Sequence, residues 1–328
     1  MVRYSPRHRL APARRCRDVR AGLHLARPCK TRNAFHLPAM IEPDRILVAG
    51  GQGRLGKALG ALGCTAPGRD RLDITDAAKT AGAIEKMMPR LIINTAGFTN
   101  VDAAESEPEL ARRINADGAG LLARLAAVSG IPLIHVSTDL VFSKGDPSKP
   151  VREKAATAPV SVYGETKLEG EIQVRAAGGR HLVTRVSWLF GNDSMSFVAK
   201  ILKLGREHET LRLVNDEYGR PTPFDALARK LVQLAGMMAE GRDLPSVLHL
   251  GSPGPVNRLE WAEQIFAASA RLGGPAPKME PVPGSAFKTP ARRANGVVLD
   301  TSLADELTGP MPDWRPACDA SVRSLLQA

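Results

Sequence analysis

Arg45-Ile46-Leu47-Val48-Ala49-Gly50-Gly51-Gln52-Gly53-Arg54-Leu55-Gly56-Lys57-Ala58-Leu59-Gly60-Ala61-Leu62 holds three signals in succession. The first is a short apolar run, which reads as a buried parallel strand. The second is a glycine-rich turn. The third is an apolar pattern in helical register. Strand, glycine turn and helix in that order form the opening unit of a nucleotide-binding α/β fold. Gly50, Gly53 and Gly56 stand in G-x-x-G-x-x-G spacing. Glycine lets a backbone turn tightly and come close to a pyrophosphate, and the N-terminus of the next helix favours the negative charge.

Further strands follow at Leu91-Ile92-Ile93-Asn94 and Ile131-Pro132-Leu133-Ile134-His135-Val136, with a weaker candidate at Cys64-Thr65-Ala66. Between the two clear strands, Ser106 and Glu109 have capping-box spacing and Pro108 suits a first turn. Leu110, Ile114, Leu121, Leu122 and Leu125 then recur on one helical face. Strands alternating with helices predict a parallel sheet covered on both sides. The fold expected is therefore α/β: a Rossmann-type doubly wound parallel sheet with a smaller α/β substrate-binding domain. The sheet domain is expected over 40–186, with 223–245 packing back on it. Residues 187–222 and 246–328 are expected to form the smaller domain.

The net charge of +11 is concentrated in the first 39 residues. They hold nine Arg and one Lys against Asp18, a net +9, which leaves +2 for the rest. That placement gives no footprint for nucleic-acid binding by the body of the chain. The segment lacks the apolar core of a secretory signal. It is expected to be a disordered basic tail, or a stretch upstream of a true start at Met40. No run of ~18 apolar residues predicts a membrane span. The four cysteines, Cys16, Cys29, Cys64 and Cys318, show no zinc spacing and suit a reducing, cytoplasmic setting.

The glycine turn predicts a dinucleotide running along Gly50, Gly53, Arg54, Leu55 and Gly56. Selection of NAD requires an acid at the end of the second strand to bond the ribose hydroxyl. The stretch here is Ala66-Pro67-Gly68-Arg69-Asp70. Gly68 leaves room for a 2′-phosphate and Arg69 supplies its counter-charge, which favours NADPH. With Asp70 in the acid's place, NADH remains an alternative. Asp73 and Ile74 fall where the adenine would lie.

Tyr163-Gly164-Glu165-Thr166-Lys167 places a phenol and an ammonium one helical turn apart. A cation beside a phenol is expected to lower the phenol's pKa and make it a usable proton donor. Val136-Ser137-Thr138-Asp139 ends an apolar strand at the edge where such sheets bind ligands. Thr138 can there donate to the same substrate oxygen as Tyr163.

The glycine turn, Asn94-Thr95-Ala96-Gly97, Ser-Thr-Asp and Tyr-x-x-x-Lys resemble the extended short-chain dehydrogenase/reductases. Val101-Asp102-Ala103-Ala104-Glu105, Ser137-Thr138-Asp139-Leu140-Val141-Phe142, Val162 through Leu168, Arg185-Val186-Ser187-Trp188 and Gly219-Arg220-Pro221-Thr222 resemble, more narrowly, the dTDP-4-dehydrorhamnose reductase family. The resemblance spans about 45 to 302. It implies reduction of the C4 keto group of a dTDP-4-keto-6-deoxy-L-hexose to dTDP-L-rhamnose, with Thr138, Tyr163 and Lys167 catalytic. Ala96, Gly97 and Thr99 would join the cofactor site, and Lys167 would bond the nicotinamide ribose. Asp139, Trp188, Asn215, Arg220, Thr222 and Arg293 would meet the sugar nucleotide.

Leu140, Glu217 and Gly296 depart from the family's usual Tyr, Gln and Ser, on the sugar-nucleotide side. Ala58 stands where some relatives carry a Mg²⁺-binding glutamate, so no metal is expected. A monomer or homodimer is expected. Three alternatives stay open. A dehydratase would need a carboxylate at Leu140. An epimerase would share Tyr163 and Lys167. A non-catalytic NADP-binding relative would act as a regulatory subunit of methionine adenosyltransferase.

Overall fold

The computed structural model describes residues 41–327; the basic tail, with Cys16 and Cys29, lies outside them. Strand β1 (Ile46–Ala49) is buried along its whole length and runs into the glycine turn and α1 (Arg54–Ala61). Next come α2 (Ala77–Met87) and β2 (Leu91–Asn94). A broken helical run follows: α3 (Val101–Ser106), α4 (Pro108–Arg112), a π-helical turn over Arg113–Gly118 and α5 (Ala119–Val128). Strand β3 (Leu133–Thr138), α6 (Val162–Ala176) and β4 (His181–Val186) complete the first half. The second half contains β5 (Leu189–Phe190), α7 (Phe197–Glu207), β6 (Thr210–Val214), β7 (Tyr218–Gly219), β8 (Thr222–Pro223) and α8 (Phe224–Ala239). It continues with β9 (Val247–Leu250), β10 (Val256–Asn257), α9 (Arg258–Arg271), β11 (Lys278–Val282), α10 (Ser302–Thr308) and α11 (Trp314–Gln327).

The main sheet is parallel throughout, in the order β1-β2-β3-β4-β9. The Cys64–Ala66 candidate is a single parallel bridge from Thr65 to the free side of β1. The chain thus leaves β1 in both directions, and the crevice at its carboxyl end is where such a sheet binds a ligand. One apolar cluster packs α1 and α8 against one face, through Leu55, Leu59, Leu227, Leu231 and Leu234. A second packs α2 and α5 on the other, through Ile84, Leu122 and Ala126. A third, around Trp261, Trp314, Phe266 and Phe190, ties α7, α9 and α11 together. The segment after 246, assigned in the sequence reading to the smaller lobe, begins by extending the main sheet through β9. No helix among the described residues is long and apolar enough to cross a membrane.

The capping box at Ser106 does not form. Asn100 caps six residues earlier, accepting from the Ala103 N–H at 3.1 Å, and Ser106 ends α3 by donating to the Ala103 carbonyl. Pro108 then restarts the helix without a side-chain cap. The buried face of this run is lined by Ala111, Ala116, Gly118, Ala119 and Gly120 as well as Leu122. Helix α6 approaches so closely that a Cβ at Gly120 would overlap Gln173, and one at Gly170 the Asn115 carbonyl. Small residues there let the helix bearing Tyr163 and Lys167 pack tightly against this run. Cys64 and Cys318 are free, buried thiols, raised by that burial to about 11 and about 12.

Candidate active site

At the glycine turn, Gly50 has φ +84°, and a Cβ there would lie 2.6 Å from the Ala96 nitrogen. A Cβ at Gly56 would overlap the Gly50 carbonyl. Gly53 caps α1 through its backbone, with its N–H bonded to the Gly50 carbonyl at 2.9 Å. Beside this turn lies a hollow of about 180 Å³ lined by Gly50, Gly53, Arg69, Asp73, Ile74, Ala96 and Gly97. Arg69 is exposed and directs its Nε to Asp73 at 2.9 Å. Burial opposes ionisation of Asp73, but hydrogen bonds from Thr75 and Arg69 outweigh it and hold the carboxyl at about 2.

Ala96 and Gly97 also line a larger cavity, of about 430 Å³, beyond the ends of β3 and β4. Arg54, Leu55, Thr99, Thr138, Asp139, Tyr163, Lys167, Trp188 and Arg293 share its wall. Ser161 caps α6 by accepting from the Gly164 N–H, which places Tyr163 in the first turn and Lys167 on the second. The Thr138 hydroxyl donates to Asp139 Oδ1 at 3.1 Å and accepts from the Leu140 N–H at 3.2 Å. Burial raises Asp139 to about 6, although Thr138 and the charge of Arg258 work against it.

Tyr163 and Lys167 do not titrate as the i, i+4 pairing predicted. Burial, reinforced by the charge of Asp139, pushes the phenol up to about 12. Burial likewise pushes the Lys167 ammonium down to about 8, against the opposing charge of Glu171. Lys167 Nζ turns to the strand, donating to the Val136 carbonyl at 2.7 Å and lying 3.5 Å from His135 Nε2. Desolvation decides the sign because both groups leave water without gaining a close counter-charge.

Trp188 adopts φ +49°, a strained conformation for a bulky residue. It is held by stacking on Trp261 with centroids 5.5 Å apart, and Gly219 leaves the room, since a Cβ there would overlap the indole. Arg293 forms a two-pronged pair with Asp102, at 3.0 and 2.8 Å. Those bonds, chiefly, hold the Asp102 carboxyl below its ordinary value. Three other predicted residues do not reach the cavity wall. Asn215 is exposed at the end of β6, its N–H bonded to the Val282 carbonyl. Arg220 braces the interior by donating to the carbonyls of Leu299 and Ser252. Thr222 is fully buried and donates to the Arg220 carbonyl. In Arg220 and Thr222, backbone carbonyls take the side-chain donors that were expected to meet a ligand.

Of the departures from family pattern, Leu140 and Glu217 line the cavity. Gly296 instead answers a backbone need: its φ is +67°, and a Cβ would lie 2.5 Å from the Gly145 carbonyl. Among the described residues no group of His, Cys, Asp and Glu is arranged to hold a metal ion.

Arg258 escaped the sequence reading. It starts α9, far along the chain from every catalytic motif, yet its guanidinium lies 3.6 Å above the Trp188 ring and 3.7 Å from Glu217. Burial pulls it down to about 10, opposed by the charges of Glu217 and Asp139. The Asn257-Arg258-Leu259-Glu260 capping box, which positions it, is a visible local signal. Ser137, Glu171 and Arg185 also went unnoticed. Ser137 donates to Glu171 at 2.6 Å, and Glu171 pairs with Arg185 at 2.7 Å, all three buried directly behind Thr138.

A parallel sheet, a glycine turn at its crevice, and Thr138, Tyr163 and Lys167 around one cavity define a short-chain dehydrogenase/reductase architecture. The comparisons narrow this. The family model of the RmlD substrate binding domain matches residues 44–327. A dTDP-4-dehydrorhamnose reductase of Burkholderia thailandensis is 35% identical over 86% of this chain and 99% of its own. A Clostridium acetobutylicum dTDP-4-dehydrorhamnose reductase structure superposes with TM-score 0.75 at 31% identity, covering 86% of this chain and 99% of that one. One from Bacillus anthracis, in complex with NADP, also gives TM-score 0.75, at 27% identity and the same coverage. The chain belongs to the dTDP-4-dehydrorhamnose reductase family.

Proposed function

We propose that this protein reduces the C4 keto group of a dTDP-4-keto-6-deoxy-L-hexose to dTDP-L-rhamnose with NADPH, NADH being the alternative. The observation that carries the reading is the placing of Tyr163 and Thr138 in one cavity that continues, through Ala96 and Gly97, into the glycine-turn hollow. The glycine turn suits the cofactor, because Gly50 and Gly56 let the turn close tightly against its own backbone and Arg69 lines the hollow beside it.

When bound, the nicotinamide supplies a hydride to C4. A phenol held at about 12 is fully protonated at neutral pH, the state a proton donor needs beforehand. Tyr163 gives that proton to the oxygen as negative charge develops on it. Thr138 exchanges its bond to Asp139 for one to the same oxygen, and two donors in a dry site lower the barrier where the charge builds. Lys167 would hold the nicotinamide ribose, and its charge supports Tyr163 electrostatically. Trp188 and Leu140 exclude water from the sugar face, while Arg258 and Arg293 offer forked donors to phosphate or sugar oxygens. Arg220 and Thr222 act from behind, setting the lobe that carries Trp188, and Asn215 lies on that lobe's rim. We assign the cofactor to a sheet domain and the sugar nucleotide chiefly to the lobe built on Trp261 and Trp314. We infer a cytoplasmic setting for this reaction.

The test follows NADPH absorbance with dTDP-4-keto-6-deoxy-L-hexose. Rapid oxidation in the parent, lowered about 10²–10⁴-fold in Tyr163→Phe, is expected. No oxidation by a protein that binds NADPH would refute the assignment.

A further inference from the structure

Behind the catalytic lysine lies a fully buried imidazole with no part in the mechanism above. His135 and Asn94 are adjacent partners on β3 and β2, and neither is exposed. Asn94 Oδ1 accepts from the Ala96 N–H at 3.1 Å, which fixes which way the amide points. Its Nδ2 therefore donates to His135 Nδ1, also at 3.1 Å. A nitrogen that accepts carries no proton, so the neutral ring bears its hydrogen on Nε2. That N–H points at Lys167 Nζ, 3.5 Å away.

An ammonium has three donors and no acceptor, so Nε2–H meets it donor to donor. The neutral amine, by contrast, has a lone pair to accept that hydrogen. The alternative tautomer would move the conflict to the Asn94 contact; flipping the amide would move it to Ala96. The contact to Lys167 is the longest of the three, as expected where the two donors oppose.

We propose that Asn94 and His135 are positioning residues that lock the Nε2–H tautomer and thereby favour loss of the proton from Lys167. The proposal rests on the reductase reading for its effect on turnover, though not for the titration itself. The other groups around Lys167 leave this role to His135. Glu171, one turn on, is engaged by Arg185 and Ser137. Tyr163 lies one turn back, and Asp139, at the end of β3, is engaged by Thr138. From the π-helical turn comes Asn115, bonded to Phe98 and Thr166. Burial by itself lowers Lys167 to about 8, and the donor-to-donor contact acts in the same direction. Above that value Lys167 is neutral and no longer supports Tyr163, so reduction should fall on the alkaline side.

Nuclear magnetic resonance tests this on the full chain without substrate. The ¹⁵N shifts of the His135 ring report the tautomer, and ¹³C-labelled lysine, assigned with Lys167→Met, reports the titration. The parent should show Nε2–H. Asn94→Leu frees the ring to turn its lone pair to the ammonium without adding charge. Asn94→Asp keeps the bond to Ala96 and forces the proton onto Nδ1. Both should move the Lys167 titration upward by about one unit, a tenfold stabilisation of the ammonium. The alkaline limb of the NADPH-oxidation profile should move with it. An Nδ1–H ring in the parent, or an unmoved lysine in folded Asn94→Asp, would overturn the proposal. A parent that turns over no dTDP-sugar while the lysine shifts as expected would instead overturn the assigned reaction and uphold this inference.

Discussion

Replacing Glu171 with leucine should destabilise the protein by about 3–5 kcal/mol, the cost of removing one partner from a buried ion pair. Glu171 is fully buried, and Arg185 is 3% exposed. The carboxylate accepts from Ser137 at 2.6 Å and from Arg185 Nε and Nη2 at 2.9 and 2.7 Å. Without it, the guanidinium keeps the Glu153 carbonyl at 3.2 Å, His249 Nε2 at 3.5 Å and the Phe142 ring at 5.1 Å, none of them a counter-charge. For a chain of this size each kcal/mol lowers the melting temperature by about 2–4 °C, so a fall of about 6–20 °C should appear in a calorimetric scan. The double change Glu171→Leu with Arg185→Leu removes both charges and should recover most of the loss. Because Ser137 adjoins Thr138, kcat should also drop in the single variant. A cost below about 1 kcal/mol, or a double variant as poor as the sum of the two singles, would refute the view that an unpaired buried charge dominates.

Gly50→Ala forces a side chain into φ +84° against the Thr95–Ala96 backbone, and should abolish NADP binding measured by fluorescence quenching; tight binding would show that the turn relaxes. Arg258→Met keeps an apolar contact on Trp188 but removes the cation and its forked donors, so KM for the dTDP-sugar should rise roughly 10- to 100-fold with KM for NADPH unchanged. An unaltered sugar KM would remove Arg258 from the site. Asp139, raised to about 6 in the fold, binds more protons there than in the unfolded chain. Its contribution is therefore most favourable below about 4 and is lost as pH rises through 6. The stability advantage of Asp139→Asn over the parent should grow across that window and level off by pH 7; a difference independent of pH would contradict it.

The sheet and its glycine turn were legible because their signals are local. Apolar runs, glycine spacing and an i, i+4 pair are properties of adjacent residues, and the sheet only confirms where they fall. Tyr163, Thr138 and Lys167 could be located by the same means. The titration of Tyr163 and Lys167 could not, because its sign depends on how much water the surrounding cavity removes. Ser106 failed as a cap because Asn100, with equal chemistry, came first and packing of α3 settled the choice. Arg220 and Thr222 carry ligand-binding chemistry, but carbonyls elsewhere in the chain claimed it.

What the chain alone determined is the opening strand, glycine turn and helix, the strands β2 and β3, and the spacing of Thr138, Tyr163 and Lys167, each encoded within a few neighbouring residues. The tertiary structure decided the pairing of Arg293 with Asp102, the stacking of Arg258 on Trp188, and the Asn94–His135–Lys167 contact. Those join residues tens to hundreds of positions apart, and their energies come from burial and geometry that exist only once the sheet has brought the segments together.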